Sequence, residues 1–182
     1  MNQGLIPARY AKAIYEYAAE RGDDKQIFTL MQTLEASFKD NPELQKVIAN
    51  PFVASAEKCK LLTTASGHAA AGSETFGRFL GMLASNRRLD ASRDIALAYL
   101  ALYRRQHNIR LVTITSAAPL TAAEQERLRA IIQKRLGSAK MEYRAVVDAA
   151  LIGGFTVSID NEKLDASVAN ELKQLRLSLL SK

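Results

Sequence analysis

The sequence predicts a mostly α protein with a small α+β part: a six-helix N-terminal bundle followed by a β-α-β-β-α C-terminal domain. Three observations predict it. Alanine and leucine dominate a chain that is 48% apolar, which favours packed helices over disorder. Apolar residues recur at helical spacing through the first hundred or so positions. At Gln106–Asn108 the period changes, and Ile109, Leu111, Thr113 and Thr115 alternate with Arg110, Val112, Ile114 and Ser116. The change of period sets the expected boundary, with domains at 1–105 and 106–182.

The first helix is expected from Pro7, suited to a first helical turn, to Arg21, with Gly22 as its stop. Tyr10, Ile14, Tyr17 and Ala18 make its buried stripe, while Ala8, Ala11, Ala13, Tyr15 and Ala19 spread apolar atoms to other faces. Such a helix is either central or presents a second surface to a partner. Asp24 opens a second helix with Ile27, Leu30, Met31, Leu34 and Phe38 inward. Asn41–Pro42 caps a short third helix that turns Leu44, Val47 and Ile48 inward, and Asn50–Pro51 breaks it. Ser55 is expected to cap a fourth carrying Cys59, Leu61 and Leu62. A loop over 66–73 leads to Ser73, which caps a fifth with Phe76, Phe79, Leu80 and Leu83 inward. Asp90 starts the sixth, with Ala91, Ile95, Ala98, Tyr99 and Leu102 on one face.

After the first strand, Thr121–Ala–Ala–Glu124 is a capping box, in which the two side chains satisfy orphan N–H groups reciprocally. Leu128, Ile131, Ile132 and Leu136 form the stripe of that helix, and Gly137 ends it. Met141, Tyr143, Ala145 and Val147 alternate as a second strand. Paired glycines, Gly153 and Gly154, open a third, with Phe155, Val157 and Ile159 on one side and Thr156 and Ser158 on the other. Asp160–Asn161–Glu162 turns the chain, Leu164 continues briefly, and Asp165 and Ser167 can cap a last helix. Val168, Leu172, Leu175 and Leu179 are expected inward on it. The glycines lead into a strand and no GK[ST] follows, so a phosphate loop is not expected there.

Composition narrows function. Net charge is +6, with 14 basic and 11 acidic residues up to Arg105 and 11 and 8 after it, so neither half is a charged tail. Arg87, Arg88, Arg93, Arg104, Arg105 and Arg110 make the densest basic stretch, broken by Asp90 and Asp94 and read as a solvated helix face. No apolar run is long enough to span a bilayer, and the first residues form no secretory or transit signal. The single Cys59 excludes an internal disulfide and reads as a small core residue. HExxH, CxxC and GxSxG are absent, only His68 and His107 supply imidazoles, and the acid pairs sit at helix starts. No catalytic residue, cofactor or metal is expected.

Four segments carry a family resemblance across nearly the whole chain. Ala8–Ala18, ARYAKAIYEYA, resembles a Y-A-x-A-[LIF]-[FY] opening helix, and Leu83–Asp90, LASNRRLD, an N-x-R-L helix exit. Thr115–Leu128, TSAAPLTAAEQERL, is similar to T-A-x-P-L-[ST]-x-x-[EQ], and LIGGFTVSID, starting at Leu151, to a C-terminal signature. In this order they resemble the delta subunit of bacterial F-type ATP synthases, related to the mitochondrial oligomycin-sensitivity-conferring protein. One departure is Ala149 after Val147–Asp148, where the family often has proline.

The resemblance implies a non-catalytic stator subunit of the peripheral stalk, joining the alpha/beta catalytic head to the b-subunit stalk so that proton flow drives ATP synthesis. It implies that 1–105 binds the N-terminal helix of an alpha subunit between the first and fifth helices, at Tyr10, Ala13, Ile14, Phe79, Met82 and Leu83. It implies that 106–182 meets the C-terminal end of the b subunit, with Gly153 and Gly154 either touching the stalk or shaping the hairpin. Expected with it are one copy per complex, no nucleic acid, and attachment to the cytoplasmic face of a bacterial membrane only through partners. The alternative reading is a basic RNA-binding adaptor, which requires exposed aromatics on the sheet; a small enzyme ranks third and requires a pocket of converging titratable groups.

Overall fold

A computed structural model describes residues 4–160 and 162–180. The chain divides into two compact units, Met1–Tyr103 and Arg104–Lys182. Helices make the first, and a mixed four-stranded sheet with two helices the second.

In the first unit α1 runs Leu5–Arg21, α2 Asp24–Asp40, α3 Pro42–Ala49, α4 Ser55–Ala65 and α5 Glu74–Ser85, and α6 runs Ser92–Gln106, its residues from Arg104 on belonging to the second unit. The chain enters α1 two residues before Pro7, which still lies in the first turn, where its missing N–H has no intrahelical acceptor to lose. Gly22 ends α1 in the left-handed region at φ 72°. Its N–H donates to Ala19 O at 3.2 Å and that of Asp23 to Ala18 O at 2.9 Å, a Schellman closure. All five expected residues of α2 are buried.

Elsewhere the inward faces differ from expectation. In α1 the buried set is Pro7, Ala11, Ile14 and Ala18, with Tyr10 and Tyr17 half-buried. Ile48 alone is buried in α3; Leu44 is half-buried and Val47 exposed. Asn41 stands at the N-cap of α3, but its side chain accepts no N–H of that helix; its amide donates back to Ser37 O at 3.3 Å. Ala54, not Ser55, precedes α4, of which only Leu62 is buried. The loop before α5 contains a 3-10 turn at His68–Ala70, and Ser73 caps α5 by accepting from Phe76 N at 3.3 Å. Asp90 lies in a second 3-10 turn, Leu89–Ala91, so α6 begins at Ser92. Its buried residues are Ser92, Ile95, Ala96, Tyr99, Leu100 and Tyr103; Ala98 and Leu102 are only half-buried, as is Ala91 in the turn before it. Tyr99 is the largest fully buried side chain, and its hydroxyl donates to Asp24 O at 3.0 Å. That bond satisfies the one polar atom of the ring, which lies beside the Tyr15 and Tyr103 rings.

In the second unit β1 is Ile109–Ser116, α7 Ala122–Leu136, β2 Lys140–Val147, β3 Gly154–Ile159, β4 Glu162–Ser167 and α8 Val168–Leu180. The order is β2-β1-β3-β4, with β1 and β2 parallel and the other neighbours antiparallel. Register sets Val112 between Tyr143 and Ile159, and Ile114 between Ala145 and Val157. Val112, Ile114, Val157 and Ile132 of α7 form the core, flanked by Leu128, Leu136, Met141, Tyr143 and Phe155. The capping box is formed: Thr121 Oγ1 accepts from Glu124 N at 3.3 Å, and Glu124 Oε2 accepts from Thr121 N at 2.8 Å.

Four differences stand out here. Ile131 is 67% exposed, because only Ile132 of the pair faces the sheet. Ala145 and Val147 are exposed on edge strand β2. Leu164 belongs to a full six-residue strand, adding β4 to the three expected. Val168 and Leu172 are exposed, not inward. Asn161 and the side chains of Leu175 and Leu179 fall outside the described residues.

Ser167 caps α8, accepting from Asn170 N at 3.3 Å, and Asp165 Oδ1 accepts from the Ser167 hydroxyl at 2.6 Å. Gly154 takes φ 77°, and a Cβ there would collide with the backbone carbonyl of Ala166 on β4. The glycine thus lets two backbones approach at the start of the hairpin. Arg104, in the last turn of α6, forks onto Glu142 at 2.8 and 2.9 Å.

Candidate functional site: an apolar groove between α1 and α5

Antiparallel packing of α1 and α5 leaves a groove of about 320 Å3 lined by Ala13, Ile14 and Tyr17 from α1 and Thr75, Arg78, Phe79 and Met82 from α5. The spacing explains the lining. Residues 75, 78, 79 and 82 stand at i, i+3, i+4 and i+7 on one face of α5, and 13, 14 and 17 share a face of α1. Ile14, Thr75 and Phe79 are buried and form the floor; Tyr17 and Met82 are half-buried walls. Ala13 is exposed, and its single methyl leaves the opening wide. Apolar side chains in a concave, water-facing trough gain free energy when a complementary apolar surface covers them, about 25 cal/mol per Å2.

One end of the groove is polar. Arg21 Nη2 pairs with Glu74 Oε2 at 2.8 Å, and Arg78 Nη2 with Glu74 Oε1 at 2.6 Å. Arg21 Nη1 also donates to Tyr17 OH at 3.1 Å. The Tyr17 hydrogen bond and then the Glu74 charge push the Arg21 pKa up, and the Arg21 charge holds Glu74 below its ordinary value.

Of the six residues expected to meet a partner helix, Ala13, Ile14, Phe79 and Met82 come together in this groove. Tyr10 lies outside the lining, and Leu83 is fully buried in the bundle core. Tyr17, Thr75 and Arg78 belong to the lining although sequence reasoning did not place them there. The signal was available as helical spacing, each being three or four residues from a lining position already named.

Several apolar side chains of the second unit are exposed, Ile152 at 74%, Leu172 at 53% and Leu177 at 57%, with Leu164 and Val168 also solvent-facing. The basic stretch is partly neutralised: Glu142 engages Arg104, and Asp160 engages Arg110 at 2.7 Å. Cys59 is half-buried and burial pushes its thiol pKa up, which disfavours the thiolate. Among the described residues no group of three or more His, Cys, Asp or Glu could hold a metal ion, and no helix is long and apolar enough to cross a membrane.

Residues 6–179 match the family model described as ATP synthase delta (OSCP) subunit. The chain belongs to the ATP synthase delta (OSCP) subunit family. It is 35% identical to the ATP synthase subunit delta of Bacteroides thetaiotaomicron over 182 residues, covering all of this chain and 97% of that protein. The corresponding subunit of Bacteroides fragilis strain YCH46 is 36% identical over the same extent. A chain in the cryo-EM structure of the Toxoplasma gondii mitochondrial ATP synthase hexamer shares the fold, with a TM-score of 0.69 at 22% identity over 97% of this chain and 98% of that one. This delta-type chain is a subunit of an ATP synthase, the peripheral-stalk component of the F-type complex, and a peripheral part of that membrane-bound assembly.

Nothing favours the RNA-binding reading. The Tyr143 ring lies beneath the Arg129 guanidinium, 4.3 Å from it, and Phe155 packs against the core. Neither aromatic offers an open stacking surface.

Proposed function

We propose that this delta subunit is a non-catalytic stator joint whose α1–α5 groove receives the amphipathic N-terminal helix of an alpha subunit. The observation that carries the reading is the groove itself: an open trough floored by Ile14 and Phe79 and walled by Met82 and Tyr17. A helix laid in such a trough is anchored by side chains at i, i+3, i+4 and i+7. A joint that resists torque needs slow dissociation, and buried apolar anchors act mainly on the off-rate. In this reading residues 1–105 hold the catalytic head and 106–182 hold the stalk. The exposed Ile152, Leu164, Leu172 and Leu177 suit the C-terminal end of a helical b subunit, near Gly153 and Gly154. One copy per complex acts on the cytoplasmic face of a bacterial membrane, attached through these partners alone.

The test is reconstitution of the full-length chain with alpha/beta heads. Ala13→Asp places a carboxylate at the mouth of the groove, where a docked helix would strip its water. Head binding should fall by about tenfold or more, with unchanged helicity and melting temperature because Ala13 is exposed. Unchanged binding by a folded variant rejects the groove as the docking site.

A further inference from the structure

Two of the groove's lining side chains are held by residues that do not line it. Tyr17 OH accepts from Arg21 Nη1, and the same guanidinium lies 5.6 Å from the Tyr17 ring centroid. Across the groove Arg78 is held by Glu74 Oε1. Arg21 and Glu74 are absent from the lining but pair with each other through Glu74 Oε2. The four side chains therefore form one connected series, Tyr17–Arg21–Glu74–Arg78, with its ends in the groove and its middle behind it. Each carboxylate oxygen of Glu74 serves one arginine. Arg21 turns its two Nη atoms to Tyr17 and Glu74 and its Nε to Asp23 Oδ2 at 3.7 Å, an arrangement that a single ammonium cannot reproduce.

Pairs this exposed add little to folding. Their effect is to fix rotamers of groups that a ligand must otherwise order on binding. The Thr75–Asp23 hydrogen bond, 2.9 Å, anchors the same two helix ends from beneath. We propose that Arg21 and Glu74 are positioning residues for helix docking, holding Tyr17 and Arg78 so that the groove keeps its width at the Tyr17 end. The proposal rests on the docking reading above and adds to it which residues preorganise the site.

The experiment uses the full chain as wild type and as Arg21→Met, Glu74→Gln, the double variant and Arg21→Lys. Each is titrated with a peptide copying the N-terminal segment of the alpha subunit from the same organism, and the Tyr17 ring resonances are followed in the free protein. Each single change should weaken binding about threefold, the double no more than the weaker single, because one connected series is broken once. Arg21→Lys should resemble Arg21→Met. Melting temperatures should stay within about 2 °C of wild type. Glu74→Gln should also shift the Tyr17 resonances, although Glu74 reaches Tyr17 only through Arg21. Wild-type affinity in the singles, additive losses in the double, or a Tyr17 ring unmoved by Glu74→Gln would each overturn the proposal. A wild-type chain that does not bind the peptide overturns the docking reading instead. The positioning pair is then judged on the Tyr17 resonances alone, a shift in Glu74→Gln supporting it and no shift rejecting it.

Discussion

Thr75 Oγ1 donates to Oδ2 of Asp23 at 2.9 Å, fastening the first turn of α5 to the residue after the left-handed cap of α1. Thr75 is buried and also floors the groove, so one side chain serves both packing and the site. Thr75→Val keeps the volume and removes the donor. It should cost about 1 kcal/mol, read as a lower urea midpoint with an unchanged slope. A wild-type midpoint would show that the bond contributes nothing net.

Gly154 should tolerate no side chain. It needs φ 77°, and an added Cβ would meet the Ala166 carbonyl, which is backbone and cannot rotate away. Gly154→Ala should destabilise the second unit by about 3 kcal/mol, visible as faster amide exchange in β3 and β4. Gly153→Ala should cost less, since its Cβ would press only on the Val168 side chain, 3.1 Å away. Equal effects at the two positions would contradict this account of the hairpin.

Acid should loosen the start of α7. Hydrogen bonds from the Thr121 hydroxyl and backbone hold Glu124 below its ordinary value of 4.5. A carboxyl depressed in the folded state stabilises it fully above 4.5, and that contribution disappears as pH falls through the depressed value. Thr121→Ala should cost about 1 kcal/mol near neutrality. It should also flatten the loss of stability between about pH 5 and pH 3 relative to wild type. Parallel pH profiles for the two proteins would remove the capping box from the explanation.

The sequence was most readable where only one face of an element is apolar. In α2 the five residues Ile27, Leu30, Met31, Leu34 and Phe38 leave no second choice of inward face. In α6 Ala96, Ala98 and Ala101 suit either side by composition, and only Ala96 lies buried, on the face that carries Tyr99 and Tyr103. Ile131 and Ile132 are adjacent and equivalent by composition, and the sheet takes one. Strand β4 escapes a search for alternation because Glu162, Lys163 and Asp165 suit an edge that must not pair further. Ala13, Ile14, Phe79 and Met82 were expected together through the family resemblance, while helical spacing alone marked Ile14 and Phe79 as core positions. Arg78 was within reach by helical spacing from Met82, but its pairing with Glu74, which Arg21 engages from 53 positions away in the chain, was not.

The most direct test of the docking role is titration of the full-length chain, carrying 13C-methyl methionine, with the alpha-subunit N-terminal peptide. Met82 walls the groove, whereas Met31 is fully buried in the core and serves as an internal control. The account predicts saturable binding that moves the Met82 methyl and leaves Met31 in place, and that Ala13→Asp shifts the titration to about tenfold or more higher peptide concentration. Saturable binding that leaves Met82 unmoved, or no binding by a folded chain, would contradict it.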